Sequence, residues 1–215
     1  MKRIVPLFGG VIAIGVCLAI LLFTSEEKQP ARVVLPVPYA SQSPDGVWEA
    51  PWDEACEETS AIMVGEYYQK VPSLSKDEVK QRILPIVDWE KKTFGEYRDT
   101  TAEETVQMIE SLFSFDASVR RNPRIEDIQV ELQKGRPVIA LVDMYKLYQE
   151  PDLGDSYHVF VIIGYDTEAQ HFIVHDPARL ASTEYTYDQV MQALHDFNPV
   201  SKEADGTPTV LFTDG

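Results

Sequence analysis

Residues 4–23 form an unbroken stretch without a charged side chain, immediately behind Lys2 and Arg3. Twenty residues at a helical rise cover about 30 Å, the thickness of a bilayer's hydrocarbon core. The basic flank favours an orientation with the N-terminus inside, so the chain from about Ser25 onward is expected outside the cytoplasm. A cleavable signal peptide has a shorter apolar region and a small-x-small cleavage site, and Leu22-Phe23-Thr24-Ser25 offers no such pair. Ile14-Gly15-Val16 is a poor context for lipidation of Cys17, which reads as a small apolar residue of the span. The expected organisation is a signal-anchor over residues 1–24, a polar tether over 25–31 and one domain over 32–215. A cleaved or lipidated N-terminus is the alternative.

That domain of about 185 residues is long enough for one substantial core. The net charge of −16 argues against nucleic acid and anionic headgroups as partners and favours basic peptides. Beyond the apolar run there is one cysteine, Cys56. A lone thiol outside the cytoplasm is open to oxidation, so its presence asks for a reason. It lies in Trp52-Asp53-Glu54-Ala55-Cys56-Glu57-Glu58-Thr59-Ser60, the opening turn of an expected helix. A helix N-terminus lowers a thiol's pKa toward the reactive thiolate. The inert alternative, a buried structural cysteine, is disfavoured by the four acids crowding it; Glu57 and Glu58 are expected to face solvent. One cysteine and four scattered histidines give no metal-ligand spacing, and no cofactor is expected.

Hydrophobic periodicity and turn chemistry give a coarse layout. Residues 33–39 read as extended and 42–51 as a loop. Asp53 is expected to cap a helix through Gln69, with Ala55, Thr59, Ile62, Met63 and Glu66 at three/four spacing. Ser75 with Glu78, and Thr101 with Glu104, are capping boxes opening helices over 75–86 and 101–113. An amphipathic helix over 123–134 ends at Gly135. Strands are expected at 137–143, 157–165 and 170–175, and a last helix at 187–197. Helices first and an antiparallel sheet after give an α+β fold, with the cysteine on the helical half. The polar, aromatic-bearing segments 88–98 and 144–156 are expected to line a groove.

His158 stands at the head of the most apolar of these strands. His171 lies at a polar hairpin and His195 on the last helix. His175 neighbours Asp176, and adjacent strand residues point to opposite faces, so only one of the two can face a site. Asp176, before Pro177, can accept the His158 Nδ1–H and fix the ring. One cysteine, a distant histidine and a carboxylate, in that order, is the pattern of a papain-like cysteine protease. The oxyanion of acyl transfer needs donors; Gln42 and the Cys56 backbone N–H are the candidates. Trp48 and Trp52 read as half-buried core anchors rather than as the walls of a substrate groove, which is the alternative.

The stretch Pro36–Gln42, Trp48 and Glu54-Ala55-Cys56-Glu57-Glu58-Thr59-Ser60 resembles the active-site region of the bacteriocin-processing (double-glycine leader) peptidase-like family. So does Tyr157-His158 running to Gly164-Tyr165-Asp166, followed by Phe172 to Asp176-Pro177. The resemblance implies a papain-like fold, a Cys56–His158–Asp176 triad, Gln42 in the oxyanion hole, and a peptide or protein substrate. The chain departs from many relatives in having Glu57 rather than glycine after the cysteine, and in placing Gln42 farther upstream. Two other readings stay open. One is a catalytically silent binding module, which a buried Cys56 or a displaced His158 would favour. The other is a cell-wall amidase or transpeptidase using the same residues.

Overall fold

The structure, a computed structural model, describes residues 30–149 and 157–215. The expected membrane span, tether start and Cys17 lie outside the described residues, as do residues 150–156. Among the described residues no helix is long and apolar enough to cross a membrane.

The chain begins with β1 (Arg32–Val34) and a loop ending in a 3-10 turn, Trp52–Glu54. Three helices follow: α1 (Cys56–Tyr68), α2 (Lys76–Thr93) and α3 (Ala102–Leu112). Next come β2 (Asp116–Arg121), α4 (Ile125–Gln133), β3 (Val138–Asp143), a short α5 (Met144–Tyr148), β4 (Tyr157–Asp166) and β5 (His171–His175). The chain closes with β6 (Thr183–Thr186), α6 (Tyr187–Ala193) and β7 (Thr209–Asp214). The described strands form one antiparallel sheet ordered β2-β7-β3-β4-β5-β6, with β1 also paired to β4. The α+β expectation holds. The strict order of helices before strands does not, because β1 and β2 fall within the helical half.

β4 is the spine. Tyr157 to Tyr165 are buried, as expected of a central strand covered on both faces, and β4 packs against both α1 and α4. β1 takes up pairing with β4 where β3 leaves off, Val34 opposite Gly164 and Val138 opposite Ile162. The close approach is why residue 164 is glycine: a Cβ there would stand 2.3 Å from the Val33 carbonyl oxygen.

α1 differs from its expected form in an instructive way. Asp53 does not cap it; the cap position is Ala55, without a side-chain bond. Cys56 to Glu66 are all buried, so α1 is a central helix covered all round rather than an amphipathic one. Ser60 Oγ donates to the Val159 carbonyl at 3.3 Å, tying the first turns of α1 to the residue after His158.

Both capping boxes form, and Gly135, at φ +78°, ends α4, the left-handed stop for which glycine is suited. α2 runs past its expected end, through Pro85 to Thr93. A proline inside a helix costs about 3 kcal/mol, and the burial of Ile83, Ile86 and Val87 opposes that cost at about 2 kcal/mol per apolar side chain.

Candidate active site

Cys56 is the first residue of α1, so its backbone N–H belongs to the helix turn that lacks intrahelical acceptors. Its position is set by the turn before it. Gln42 Nε2 donates to the carbonyls of Trp52 and Asp53, both at 3.1 Å. The same loop reaches the far side of the site: Gln42 N–H donates to the Pro177 carbonyl at 3.0 Å, and the Tyr39 hydroxyl to the Asp176 carbonyl at 3.3 Å. One loop therefore ties the approach to Cys56 to the end of β5.

His158 sits in β4 opposite Val142 of β3. Its Nε2 donates to Asp176 Oδ1 at 2.8 Å. This corrects the expected Nδ1 bond: the ring nitrogen that meets Asp176 is Nε2. Asp176 follows directly on β5 and has no solvent exposure. Its Oδ1 also accepts from the Ala178 N–H at 3.0 Å, and Oδ2 accepts from the Tyr148 hydroxyl at 2.6 Å. Burial alone would raise this carboxyl. The charge of His158 and the bonds from His158, Tyr148 and Ala178 outweigh it and hold Asp176 below its ordinary value. Tyr148 reaches this place because α5 is capped by the Asp143 carboxylate, which accepts from the Tyr145 N–H at 2.8 Å.

Cys56 and His158 line one cleft of about 370 Å³, together with Gln42, Trp48, Tyr148 and Arg179. Cys56 is 4% exposed and His158 2% exposed, and both stand in the wall of this cleft. Trp48 lines it at 54% exposure, which corrects its expected role as a core anchor; Trp52 does pack against the core. Met144 and Tyr148, within the segment expected to line a groove, do so. The segment 88–98 does not act as one loop, since its first half is the end of α2. Asp99, just beyond it, lines the cleft.

Two expectations about the thiol are overturned. Glu57 and Glu58 are each 1% exposed, because a helix buried all round has no solvent face for them. Cys56 Sγ–H donates to Glu57 Oε2 at 3.0 Å, while Glu57 Oε1 accepts from the Thr100 N–H at 2.8 Å and the Thr100 hydroxyl at 3.2 Å. Burial, the charges of Glu57 and Asp99, the bond to Glu57 and the charge of Glu58 all push the thiol well above its ordinary pKa. The helix N-terminus does not outweigh them while Glu57 is ionised, and the proton then stays on the sulfur.

The other histidines are engaged elsewhere. His175 Nε2 donates to the Val37 carbonyl at 2.9 Å, and its Nδ1 accepts from the Ser182 N–H at 3.0 Å. His195 contacts the Gly206 carbonyl and Lys146 Nζ, and His171 lies 4.0 Å from Glu184. Gln42 lines the cleft, but its amide hydrogens point to Trp52 and Asp53. Tyr148, Arg179 and Thr100 carried no spacing signal in the sequence. Glu57 did, as the residue adjoining the cysteine.

A buried helix presenting a cysteine, against an antiparallel sheet presenting a His–Asp pair, is the architecture of the papain-like cysteine peptidases. The chain belongs to the Peptidase_C39 like family, which it matches over residues 34–204. A solved Bacillus anthracis protein described as a C39-like peptidase is similar in fold, with TM-score 0.57 and 17% identity, over 85% of this chain and 98% of that one. No curated protein matches the chain.

Proposed function

We propose that this chain is an active cysteine peptidase with Cys56 as nucleophile, His158 as proton carrier and Asp176 as the group that orients it. The observation that carries the reading is the buried His158 Nε2–Asp176 Oδ1 bond of 2.8 Å beside a cleft shared by His158 and Cys56. The thiol proton passes to His158 Nδ1, and the thiolate attacks the scissile carbonyl. The oxyanion meets the Cys56 N–H at the start of α1, and Gln42 Nε2 once it exchanges one of its carbonyl bonds for the substrate. His158 then protonates the leaving amine. Water, deprotonated by His158, hydrolyses the thioester and restores the thiol.

The N-terminal run 4–23 behind Lys2 and Arg3 supports membrane anchoring with the peptidase domain outside the cytoplasm. The net charge of −16 favours basic peptides as substrates. The test is turnover of a peptide library rich in Lys and Arg by the full chain, beside Cys56→Ala. Cleavage lost in that variant supports the reading, and cleavage retained in it refutes it.

The buried thiol, pushed above its ordinary pKa, favours a second reading, a peptide-binding module that no longer cleaves. That reading predicts saturable peptide binding without turnover.

A further inference from the structure

Glu57 has no place in the proton path from Cys56 to His158, yet its carboxylate touches the sulfur. We propose that Glu57 is a second catalytic partner of Cys56: as a neutral carboxyl it donates its O–H to the thiolate, and as a carboxylate it retains the thiol proton and holds the site off. The inference rests on the cysteine-peptidase reading and adds to it a group that sets the pH range of activity.

The geometry supports both roles. Glu57 Oε2 stands 3.0 Å from Cys56 Sγ, within reach of a bond in either direction. Oε1 is fixed by the Thr100 N–H and hydroxyl, and Thr100 is held in turn by Thr105 Oγ1 at 2.8 Å and, through its carbonyl, by the Tyr157 hydroxyl at 2.9 Å. The carboxyl is thus locked on the sulfur.

The proton balance is simple. In the neutral form the thiol proton moves to His158 Nδ1, the S–H bond breaks, and Glu57 O–H turns toward the sulfur, giving thiolate, imidazolium and carboxylic acid. In the ionised form the S–H stays donated to Oε2, because removing it would set two anions in contact without water between them.

The surroundings make this titration accessible. Glu57 faces Glu54 from the preceding turn, Cys56 and Glu58 on α1, Glu90 on α2, Tyr97 from the segment before α3, and Tyr157 on β4, while Asp99 acts on the neighbouring Cys56. Arg98, the cation in that segment, is committed to Glu104 through bonds of 2.7 and 3.0 Å. Burial pushes Glu57 above its ordinary value; the bonds from Cys56 and Thr100 pull it back, and the charge of Glu54 adds to the rise.

The test is the rate of iodoacetamide labelling at Cys56 in the full chain, read site by site by mass spectrometry so that Cys17 does not interfere, across pH. Wild type is expected to lose reactivity as pH rises through the Glu57 titration. Glu57→Gln keeps the acceptor for Thr100 and offers a permanent donor to sulfur, so it should hold its plateau. On the alkaline side it should react about tenfold faster than wild type, the consequence of removing a like charge that shifts a pKa by about one unit. A Glu57→Gln profile that superimposes on wild type overturns the inference. Thr100→Val decides the matter should Glu57→Gln not fold. It removes a bond to the carboxylate, so the falling limb must move to higher pH, and an unmoved limb overturns the inference. Labelling indifferent to His158→Ala in wild type defeats the peptidase reading itself, a result separate from either.

Discussion

Replacing Tyr148 with phenylalanine removes one hydroxyl and tests how the buried Asp176 carboxylate is kept charged. The hydroxyl donates to Oδ2 at 2.6 Å, bonds from His158 and Ala178 fall on Oδ1, and the Tyr185 hydroxyl is a further partner of the carboxylate. Oδ2 therefore loses its 2.6 Å donor in a residue that has no solvent exposure. A hydrogen bond to a charged group contributes about 1.5–3 kcal/mol net, so Tyr148→Phe should cost about 2 kcal/mol. Arg179, whose guanidinium lies 3.7 Å from the centre of the Tyr148 ring, still has an aromatic face to pack on, so the ring should keep its place. With a urea slope of about 2 kcal/mol/M, the unfolding midpoint should fall by about 1 M at neutral pH.

The pH dependence gives a second readout. Asp176 is depressed in the folded state, so it contributes stability that is present above its unfolded pKa of about 3.9 and is lost as pH falls through the folded pKa. Tyr148→Phe moves the folded pKa up toward the unfolded one. The deficit should therefore be largest near neutrality and shrink in acid, where both proteins carry a protonated Asp176. A neutral-pH midpoint equal to wild type, or a deficit independent of pH, would refute this reasoning.

Further outcomes follow from the same structure. Glu90 is buried and pushed up to about 8. A carboxyl raised in the folded state lowers stability as pH climbs from its unfolded pKa toward its folded one, so Glu90→Gln should be more stable than wild type in alkaline melts and lose part of that slope. Gly164→Ala would drive a Cβ into the Val33 carbonyl and should cost about 1–3 kcal/mol by chemical denaturation, with β1 gaining the fastest amide exchange. Gln42→Ala removes the ties to Trp52 and Asp53 as well as the proposed oxyanion donor. Turnover should fall by about a hundredfold, largely in kcat; a change confined to KM would show that Gln42 only shapes the groove.

Much of this was legible in the chain because local chemistry and tertiary packing agree. Ser75 with Glu78 and Thr101 with Glu104 form their capping boxes, and the apolar strand after His158 became the buried spine. His158 and Asp176 were readable because each stands at the end of an apolar strand, and antiparallel pairing brings such ends together. What was not legible depends on packing across distant segments. Glu57 and Glu58 look like surface acids, and only the complete enclosure of α1 makes them internal. The choice of Nε2 over Nδ1 follows from how β4 and β5 sit, which spacing does not encode. Tyr148 lies in a segment that reads as a polar loop, and its hydroxyl finds Asp176 through the cap at Asp143. The strands β2, β6 and β7 were not among the expected elements; β6 has four residues, and β7 lies beyond the last expected element, although its pairing between β2 and β3 is what completes the sheet.

The central claim is that His158 activates Cys56. The most direct measurement is the rate of iodoacetamide labelling at Cys56, resolved from Cys17 by peptide mapping, in the full chain at mildly acidic pH, for wild type and His158→Ala. With Glu57 neutral at that pH, rapid labelling is expected, falling by at least about tenfold in the variant, one pKa unit of lost thiolate stabilisation. Slow labelling unchanged by His158→Ala would contradict it and leave a binding module built on a peptidase fold.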